Sequence, residues 1–295
     1  VGSSFEHPAT RSAAKYWASQ TNREYVNVQH NDQNGHVTAE LYSKIVSPDT
    51  RVVTILHASP VTGISVDLEA ISKAVHSISP EALIIVDGVQ YAAHGGITID
   101  QYNIDGYAIS PYKMYSRHGY GLAWVSDRLT KMNHEQLFDG PSENWELGTR
   151  DTGSYATISN VVQYLEWLGE KIENTESRSV KLYNAAKAIA AQETALTDLM
   201  INGEDNIKGL KDLSGVEIIG GLKNPNRSGL VSFRINGISS HLLVDFLNGK
   251  GIRTHVRKAD HYSGNILDPL GWEDCVRVSV CHYNSSEEIK SLLLA

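Results

Sequence analysis

Two short, nearly continuous apolar segments limit the folds open to this chain more than any other feature. Residues 51–58 (RVVTILHA) and 82–88 (ALIIVDG) are rich in branched apolar residues, as expected for strands that are covered on both faces. A segment of helical period lies between them; Asp67 can cap it and Pro80 follows its end. This alternation of strand and helix patterns predicts an α/β fold with a mainly parallel sheet flanked by helices.

The pattern changes after about residue 155. The sequence beyond it predicts two long amphipathic helices at 159–175 and 179–200. Three strands follow at 215–221, 229–236 and 275–283, with a further helix at 239–251 between the last two. We therefore predict a large domain at residues 1–155 and a smaller C-terminal α+β domain at residues 156–295. The first long helix is expected to bridge the two, and no flexible linker separates them.

The composition excludes several classes of function. The formal net charge is −8 and no run of Lys or Arg occurs, which argues against nucleic-acid binding. No apolar stretch approaches the roughly 18 residues of a membrane-spanning helix, and no signal-peptide pattern is present. The histidines show no HExxH spacing and no GxGxxG motif follows an early strand, so neither a metal site nor a nicotinamide site is predicted. With only two cysteines, Cys275 and Cys281, we expect a reducing compartment and a cytoplasmic protein.

Polar side chains stand where two neighbouring predicted strands end. Asp87 ends one apolar segment and Gln90 follows it, while Lys113 comes just past the next strand with Ser110 and Tyr112 beside it. Ligands of open α/β sheets bind beyond the carboxyl ends of the strands. Alone, Asp87 is compatible with a ribose, a metal, a protonated ring nitrogen or a simple turn, and a lone lysine is usually a solvated surface group. Together they match pyridoxal phosphate, which a lysine holds and an acid tunes at its pyridinium nitrogen.

Four motifs also resemble those of a known family, in the same order. They are VDGVQ at 86–90, AISPYKMYSRHGYG at 108–121, ELGTRD at 146–151 and VRVSVCHYNSSEEI at 276–289. The chain resembles the class V, fold-type-I pyridoxal-phosphate enzymes, which include cysteine desulfurases, selenocysteine lyases and kynureninases. The resemblance covers nearly the whole chain. It implies a transferase-like fold of type I in which residues 1–155 bind the cofactor.

The resemblance implies roles around the cofactor ring. Lys113 corresponds to the lysine that forms the Schiff base, Asp87 to the partner of the pyridinium nitrogen, and Gln90 to the neighbour of the phenolic oxygen. His7, in the segment FEHPA, corresponds to the histidine that stacks on the ring, and it is expected to be catalytic together with Lys113 and Asp87. Spacing alone would favour an exposed loop histidine at that position.

Other residues are expected to hold the phosphate and the substrate. Ser110 and Tyr112 adjoin the lysine, and the Tyr112 hydroxyl can bond the phosphate. Thr149 resembles the threonine that reaches the cofactor phosphate of the partner subunit, which implies a homodimer. Arg277 matches the arginine that grips the substrate α-carboxylate with its fork of donors. Without the resemblance, Thr149 reads as a loop threonine and Arg277 as a surface arginine with a salt bridge.

Three departures from the family pattern bear on the reaction. Tyr112 stands where many relatives have histidine, as in kynureninase-like members, and Pro60 replaces an asparagine, which leaves Gln90 as the partner of the phenolic oxygen. The loop after residue 254 contains no cysteine, so persulfide transfer is not expected. Its basic residues either contact a substrate side chain or form a solvated loop: His255, Arg257, Lys258 and His261.

By resemblance, the chain lacks roughly a quarter of a full-length member, including the glycine and Ser/Thr loop that cradles the phosphate at a helix N-terminus. Either the numbering omits that part or the fragment is incomplete. For a polypeptide that begins at Val1, we expect weak cofactor binding and aggregation, because central strands would lose neighbours.

We therefore predict a pyridoxal-phosphate enzyme that acts on an amino acid. The first choice by family is β-elimination at a C–S bond without a persulfide cysteine; transamination, epimerisation and decarboxylation are alternatives that share the first step. A rival prediction is a non-catalytic subunit that keeps the fold and lends Thr149 to a partner. The retained Lys113, Asp87 and Arg277 argue against that rival. No nucleic-acid or membrane partner is expected.

Overall fold

A six-stranded sheet forms the first half of the molecule, in a computed structural model that describes residues 1–295. Its strands are β1 (Gly2–Ser3), β2 (Asn27–Val28), β3 (Val52–Leu56), β4 (Leu83–Asp87), β5 (Gly106–Ile109) and β6 (Leu122–Val125). They lie side by side in the order β2-β1-β3-β4-β5-β6. All neighbours are parallel except β6, which runs antiparallel to β5. The carboxyl ends of β3, β4 and β5 therefore meet at one edge.

Five helices accompany this sheet. They are α1 (Pro8–Gln20), α2 (Ala39–Ile45), α3 (Leu68–Ile78), α4 (Ile99–Tyr102) and α5 (Asp127–Thr130). Helix α3 begins where the sequence predicts, because Asp67 accepts a hydrogen bond from Ala70 N at 2.9 Å. Its apolar stripe of Leu68, Ile71 and Val75 is buried, which orients the helix on the sheet.

The two central strands make the core of this half. Val53 and Ile55 of β3 and Ile84 and Val86 of β4 are at most 1% exposed, and they share one face because side chains alternate along a strand. Each such side chain contributes roughly 1.5–3 kcal/mol through burial. The other face is mostly buried in β3 and partly buried in β4. The polar residues that follow these strands are thus carried on a rigid frame.

Two long helices connect the halves of the chain. Helix α6 (Thr152–Ile172) and helix α7 (Arg178–Asn202) pack closely against each other. At Gly169 the backbones approach so closely that a Cβ atom would overlap the carbonyl oxygen of Lys181. Glycine is therefore required at this crossing.

A four-stranded antiparallel sheet forms the second half. Its strands are β9 (Val216–Ile218), β10 (Leu230–Ile235), β11 (His255–Lys258) and β12 (Asp274–Ser279), after a short hairpin of β7 (Gly203–Glu204) and β8 (Ile207–Lys208). Their order is β11-β12-β10-β9. The helices of this half are α8 (Ser240–Gly249), α9 (Gly264–Leu267) and α10 (Ser286–Leu294). A capping box of Ser285 and Glu288 starts α10.

The predicted α/β fold, with a mainly parallel sheet and a smaller α+β part, is confirmed. Two features differ from the sequence analysis: residues 255–258 form the edge strand β11 rather than a loop, and α1 was not predicted. The division of the chain at residue 155 stays a prediction. None of the helices is both long and apolar enough to span a membrane.

Candidate active site

Asp87 is the last residue of β4, at the carboxyl edge of the parallel sheet. Strand pairing continues on both sides of it, since His57 N donates to Asp87 O at 3.0 Å and Gly88 N donates to Ala108 O at 2.9 Å. Val89 N donates to Asp87 Oδ1 at 3.0 Å. The carboxylate is held by one oxygen, and Oδ2 is available to a ligand.

Lys113 lies in the 3-10 turn Pro111–Met114, directly after β5. The turn is closed by Lys113 N, which donates to Ser110 O at 3.0 Å. The side-chain Nζ donates to Gln90 Oε1 at 3.0 Å, across 23 residues of sequence. The predicted lysine and glutamine therefore meet at the edge that also carries Asp87.

The environment of Lys113 weakens its proton affinity. Burial lowers the pKa of the ammonium group, and the positive charges of Arg277 and Arg257 lower it further, against the opposing effect of the Asp87 carboxylate. An amine of lowered pKa is neutral in a larger fraction of molecules at neutral pH. It is then a better nucleophile and base than a surface lysine.

A buried acid orients Gln90 through a histidine. His94 Nδ1 donates to Glu193 Oε2 at 2.8 Å, and Gly229 N donates to the same carboxylate at 3.1 Å. In a neutral His94 ring the other nitrogen, Nε2, is then an acceptor. Gln90 Nε2 lies 3.1 Å from it and donates to it. The Gln90 oxygen is thereby turned toward Lys113.

His7 is the N-cap residue of α1 and is partly buried, so it is not the exposed loop histidine that spacing alone favours. Its Nδ1 accepts from Ala9 N at 3.2 Å, which leaves the proton of a neutral ring on Nε2, 3.2 Å from the Tyr262 hydroxyl. Burial lowers the pKa of His7, while the charge of Asp87 raises it and that of Lys113 lowers it. The ring is therefore within electrostatic reach of both groups.

Arg277 extends from β12 toward the loop that follows β3. Its Nη1 donates to Pro60 O at 3.0 Å, and its Nε is buried with no acceptor. Burial lowers the pKa of Arg277 to about 10, and the nearby charge of Arg257 contributes to the shift. The alternative of a surface arginine in a salt bridge is wrong, because the guanidinium is half-buried and its one protein partner is a carbonyl.

The residues expected to bind the phosphate do not form a cluster like that around Lys113. Ser110 directly precedes the turn that carries the lysine, and its side chain makes no capping hydrogen bond. Tyr112 is 40% exposed and stacks on His118, with ring centroids 4.3 Å apart. Thr149 is exposed in the segment between α5 and α6. The structure therefore brings Lys113, Gln90, Asp87, His7 and Arg277 to one region, and it leaves Tyr112 and Thr149 on the surface.

Glu6 is a buried acid close to Asp87. Its Oε1 accepts from Ser3 Oγ at 2.9 Å and from Leu56 N at 3.0 Å, while Oε2 is buried without a partner. Burial raises the pKa of Glu6 to about 7, and the Asp87 charge adds to the rise against these hydrogen bonds. The electrostatics beneath the site are thus sensitive to pH near neutrality.

The two thiols are poor nucleophiles. Burial raises the pKa of Cys275 to about 12 and raises that of Cys281 as well. Neither is in a disulfide. A reactive cysteine requires a lowered pKa and access to solvent, and neither condition is met at Cys275.

Sequence reasoning missed the pair that orients Gln90. His94 gave one weak signal, since it follows Gln90 by four residues. Glu193 gave none, because it sits 99 residues further along in an amphipathic helix. Glu6 also has no sequence signal of its own, although it is next to the predicted His7.

Comparisons with known proteins identify the family of this chain. A family model described as aminotransferase class-V matches residues 1–292. A probable cysteine desulfurase of Xylella fastidiosa is 26% identical over 282 residues, which cover 89% of this chain and 60% of that protein. An aminotransferase-like protein of Gibberella zeae is 29% identical over 271 residues, which cover 89% of this chain and 62% of that protein. The chain thus spans about 60% of the length of these relatives.

Solved structures share the fold. The apo structure of a cysteine desulfurase from Thermococcus onnurineus superimposes with a TM-score of 0.79 at 20% identity, over 99% of this chain and 70% of that one. At that identity the likeness concerns the fold alone. It confirms the architecture of type I that the four motifs imply.

Proposed function

The chain belongs to the class-V aminotransferase family, and from that premise we propose that it is a pyridoxal-phosphate-dependent enzyme that acts on an amino acid. The observation that carries the proposal is the group formed by Lys113, Gln90 and Asp87 at one sheet edge. These residues fit the cofactor ring: an amine for its carbonyl carbon, an amide for its phenolic oxygen and a carboxylate for its nitrogen. When bound, the cofactor would supply a sink for electrons released at the substrate α-carbon.

In this proposal each side chain has a role that follows from its position. Lys113 anchors the cofactor and moves the proton at the substrate α-carbon, for which its lowered pKa suits it. The free Oδ2 of Asp87 holds the proton on the ring nitrogen. His7 covers the ring, and Gln90 supports the phenolic oxygen in place of the asparagine that Pro60 replaces.

Arg277 is the proposed ligand of the substrate α-carboxylate. Its Nη1 is committed to Pro60 O, and its remaining donors, including the buried Nε, have no protein acceptor. A carboxylate that accepts from two of these donors would satisfy them and fix the α-carbon relative to Lys113.

We also propose a homodimer. The segment of residues 131–150, which contains Thr149, exposes several large apolar side chains: Met132, Leu137, Phe138, Trp145 and Leu147. Apolar surface of this kind is typical of an interface. In a dimer Thr149 would reach the partner's phosphate, beside Ser110 and Tyr112 of that subunit. The proposed compartment is the cytoplasm, in keeping with two unpaired cysteines.

The proposed reaction is β-elimination at a C–S bond without a persulfide cysteine. The raised pKa values of Cys275 and Cys281 support the absence of a persulfide cysteine, because neither thiol is activated to take up sulfur. The proposal of β-elimination at a C–S bond rests on relatives that are named cysteine desulfurases. Transamination, epimerisation and decarboxylation would begin with the same residues.

Product analysis tests this proposal. The protein is incubated with pyridoxal phosphate and a panel of amino acids that includes cysteine. Every substrate that undergoes β-elimination should give pyruvate and ammonia, with sulfide as the leaving group when that substrate is cysteine, whereas a keto acid that keeps the side chain of the substrate would indicate transamination. Lys113→Ala should abolish turnover, and Lys223→Ala, at an exposed lysine, should not. If Lys113→Ala left the protein's function in cells unchanged, a non-catalytic subunit would be favoured instead.

A further inference from the structure

Two arginines point from one face of the second sheet toward the proposed site. In the β11–β12 pair, Arg257 is opposite Cys275 and Arg277 is opposite His255, so the arginines are diagonal neighbours on the same face. Long side chains at such positions reach each other. This face is the one that meets the loop after β3, where Arg277 donates to Pro60 O.

Neither guanidinium has an anionic partner. The Arg257 side chain forms no hydrogen bond or ion pair within residues 1–295, and the Nε atoms of Arg257 and Arg277 are both buried without an acceptor. Asp260, on the same segment, is within electrostatic reach of Arg257 but forms no ion pair with it; its Oδ1 accepts from Tyr262 N and Ser263 N, at 2.9 and 3.2 Å. An unpaired, partly buried charge is costly, and a bound anion would offset that cost.

The position of Arg257 also relates it to the reactive amine. Its charge lowers the pKa values of both Lys113 and His7, so it is within electrostatic reach of the two residues proposed to hold and cover the cofactor. A cavity of about 650 Å³ runs along β11 beside it, and its basic lining residues outnumber the single carboxylate of Asp260: His241, Arg253, His255, Arg257 and Lys258.

We propose that Arg257 binds a second acid group, so that the substrate is an amino acid with an anionic side chain. The inference rests on the proposed function: Arg277 takes the α-carboxylate and Arg257 takes the side-chain acid. The two guanidiniums then form a clamp that binds a substrate with two acid groups in preference to one with a neutral side chain such as cysteine, whose binding would leave Arg257 unpaired. Of the basic residues after residue 254, Arg257 is therefore the one that determines specificity.

A competing explanation is that a carboxylate of a second copy of this chain pairs with Arg257. The two explanations predict opposite effects on stability. If Arg257 is unpaired before substrate binds, Arg257→Gln removes an uncompensated buried charge and raises the thermal midpoint. If it is paired in the assembly, the same change leaves a buried carboxylate without a partner and lowers the midpoint.

Calorimetric titration of the cofactor-loaded protein with succinate and butyrate tests the clamp directly. Both acids have four carbons, but succinate has two carboxylates and butyrate has one. Neither has an amino group, so no turnover occurs. Succinate should bind at least about tenfold more tightly than butyrate, as expected for a charge-assisted bond to a second arginine. Arg257→Gln should abolish that preference and leave butyrate binding unchanged. Lys223→Gln, at an exposed lysine outside β11 and outside the lining of this cavity, is the charge-matched control and should keep the preference.

The result is separable from the proposed function. The clamp is wrong if the cofactor attaches to Lys113 but the protein does not prefer succinate. It is also wrong if Arg257→Gln lowers the thermal midpoint. In both cases the proposed enzymatic function is unaffected. Failure of the cofactor to attach to Lys113 overturns the proposed function, and with it the substrate class. A preference for succinate in the wild-type protein, which Arg257→Gln removes without lowering the midpoint, supports the inference.

Discussion

At the scale of single residues, the orientation of one amide decides which atom faces the reactive amine. The sequence predicts that Gln90 and Lys113 lie at one sheet edge, because both follow strands. It does not predict that Gln90 presents its oxygen, since that depends on His94 and Glu193, which come from a different part of the chain. Contacts of this kind have no local sequence signal.

Glu193→Gln is expected to reduce kcat by about tenfold to a hundredfold and to leave KM nearly unchanged. A glutamine can donate to His94 Nδ1, which moves the ring proton to Nε2 and forces the Gln90 amide to rotate away from Lys113. Steady-state kinetics measure the effect, with Glu170→Gln as the control at a surface ion pair. Glu193, His94 and Gln90 act through one series of hydrogen bonds, so the double variant with His94→Asn and Glu193→Gln should lose little more activity than Glu193→Gln alone. Additive losses of kcat would contradict this coupling.

The raised pKa of Glu6 leads to a prediction of how the free energy of unfolding depends on pH. The unfolded carboxyl titrates near 4.5 and the folded one at about 7, so unfolding releases a proton between these values and stability falls as pH rises through that window. The shift corresponds to roughly 3 kcal/mol at and above pH 7. Glu6→Gln should remove this loss, because Oε1 can keep its bonds to Ser3 and Leu56.

Urea denaturation at a series of pH values measures that difference. Glu6→Gln should be more stable than the parent above pH 7 and equal to it below about pH 4.5. Glu176→Gln, at an exposed position, controls for the loss of one carboxylate. A constant difference at every pH would contradict the raised pKa.

At the scale of elements, prediction succeeded where burial alone decides the structure. Strands β3 and β4 and helix α3 have patterns that fit one structure, and the Asp67 cap lies where the sequence places it. The sequence predicts a loop at residues 255–258, because two of these four residues are charged and only pairing with β12 makes them the strand β11. An edge strand with basic residues resembles a solvated loop in sequence.

The crossing of α6 and α7 gives an element-scale prediction. Gly169→Ala should destabilise the protein by about 1–3 kcal/mol or more, because the added methyl group overlaps the Lys181 carbonyl and separates the helices. Gly249→Ala in α8 is the matched control, since nothing lies within 4 Å of its Cβ position. That change should be neutral or stabilising. Thermal unfolding compares the two, and equal effects would contradict the proposed close packing.

At the scale of the whole molecule, the sequence predicts the class of fold but not the order of its strands. Short strands such as β1 carry almost no pattern, yet β1 separates β2 from β3. The antiparallel direction of β6 also follows from pairing with β5 rather than from its own composition. The position of Arg277 against Pro60 depends on how the two sheets meet, which no local pattern reports.

The proposed dimer gives a prediction at this scale. Phe138 is 95% exposed in the 131–150 segment, and Phe138→Glu should weaken self-association by at least about tenfold if this segment is at the interface. Sedimentation analysis measures the change. Leu242→Glu is the control, at an exposed apolar residue of α8, and should have no effect. Equal association by parent and Phe138→Glu would place the interface elsewhere.

The central claim is that Lys113 carries the cofactor, and borohydride reduction followed by peptide mass mapping tests it most directly. The protein is loaded with pyridoxal phosphate, its near-ultraviolet and visible spectrum is recorded before and after reduction, and the digested peptides are weighed. We predict an absorbance band that borohydride removes, with the mass of the reduced cofactor on Lys113. A spectrum that pyridoxal phosphate leaves featureless, or added mass on another lysine with Lys113 unmodified, would contradict the account.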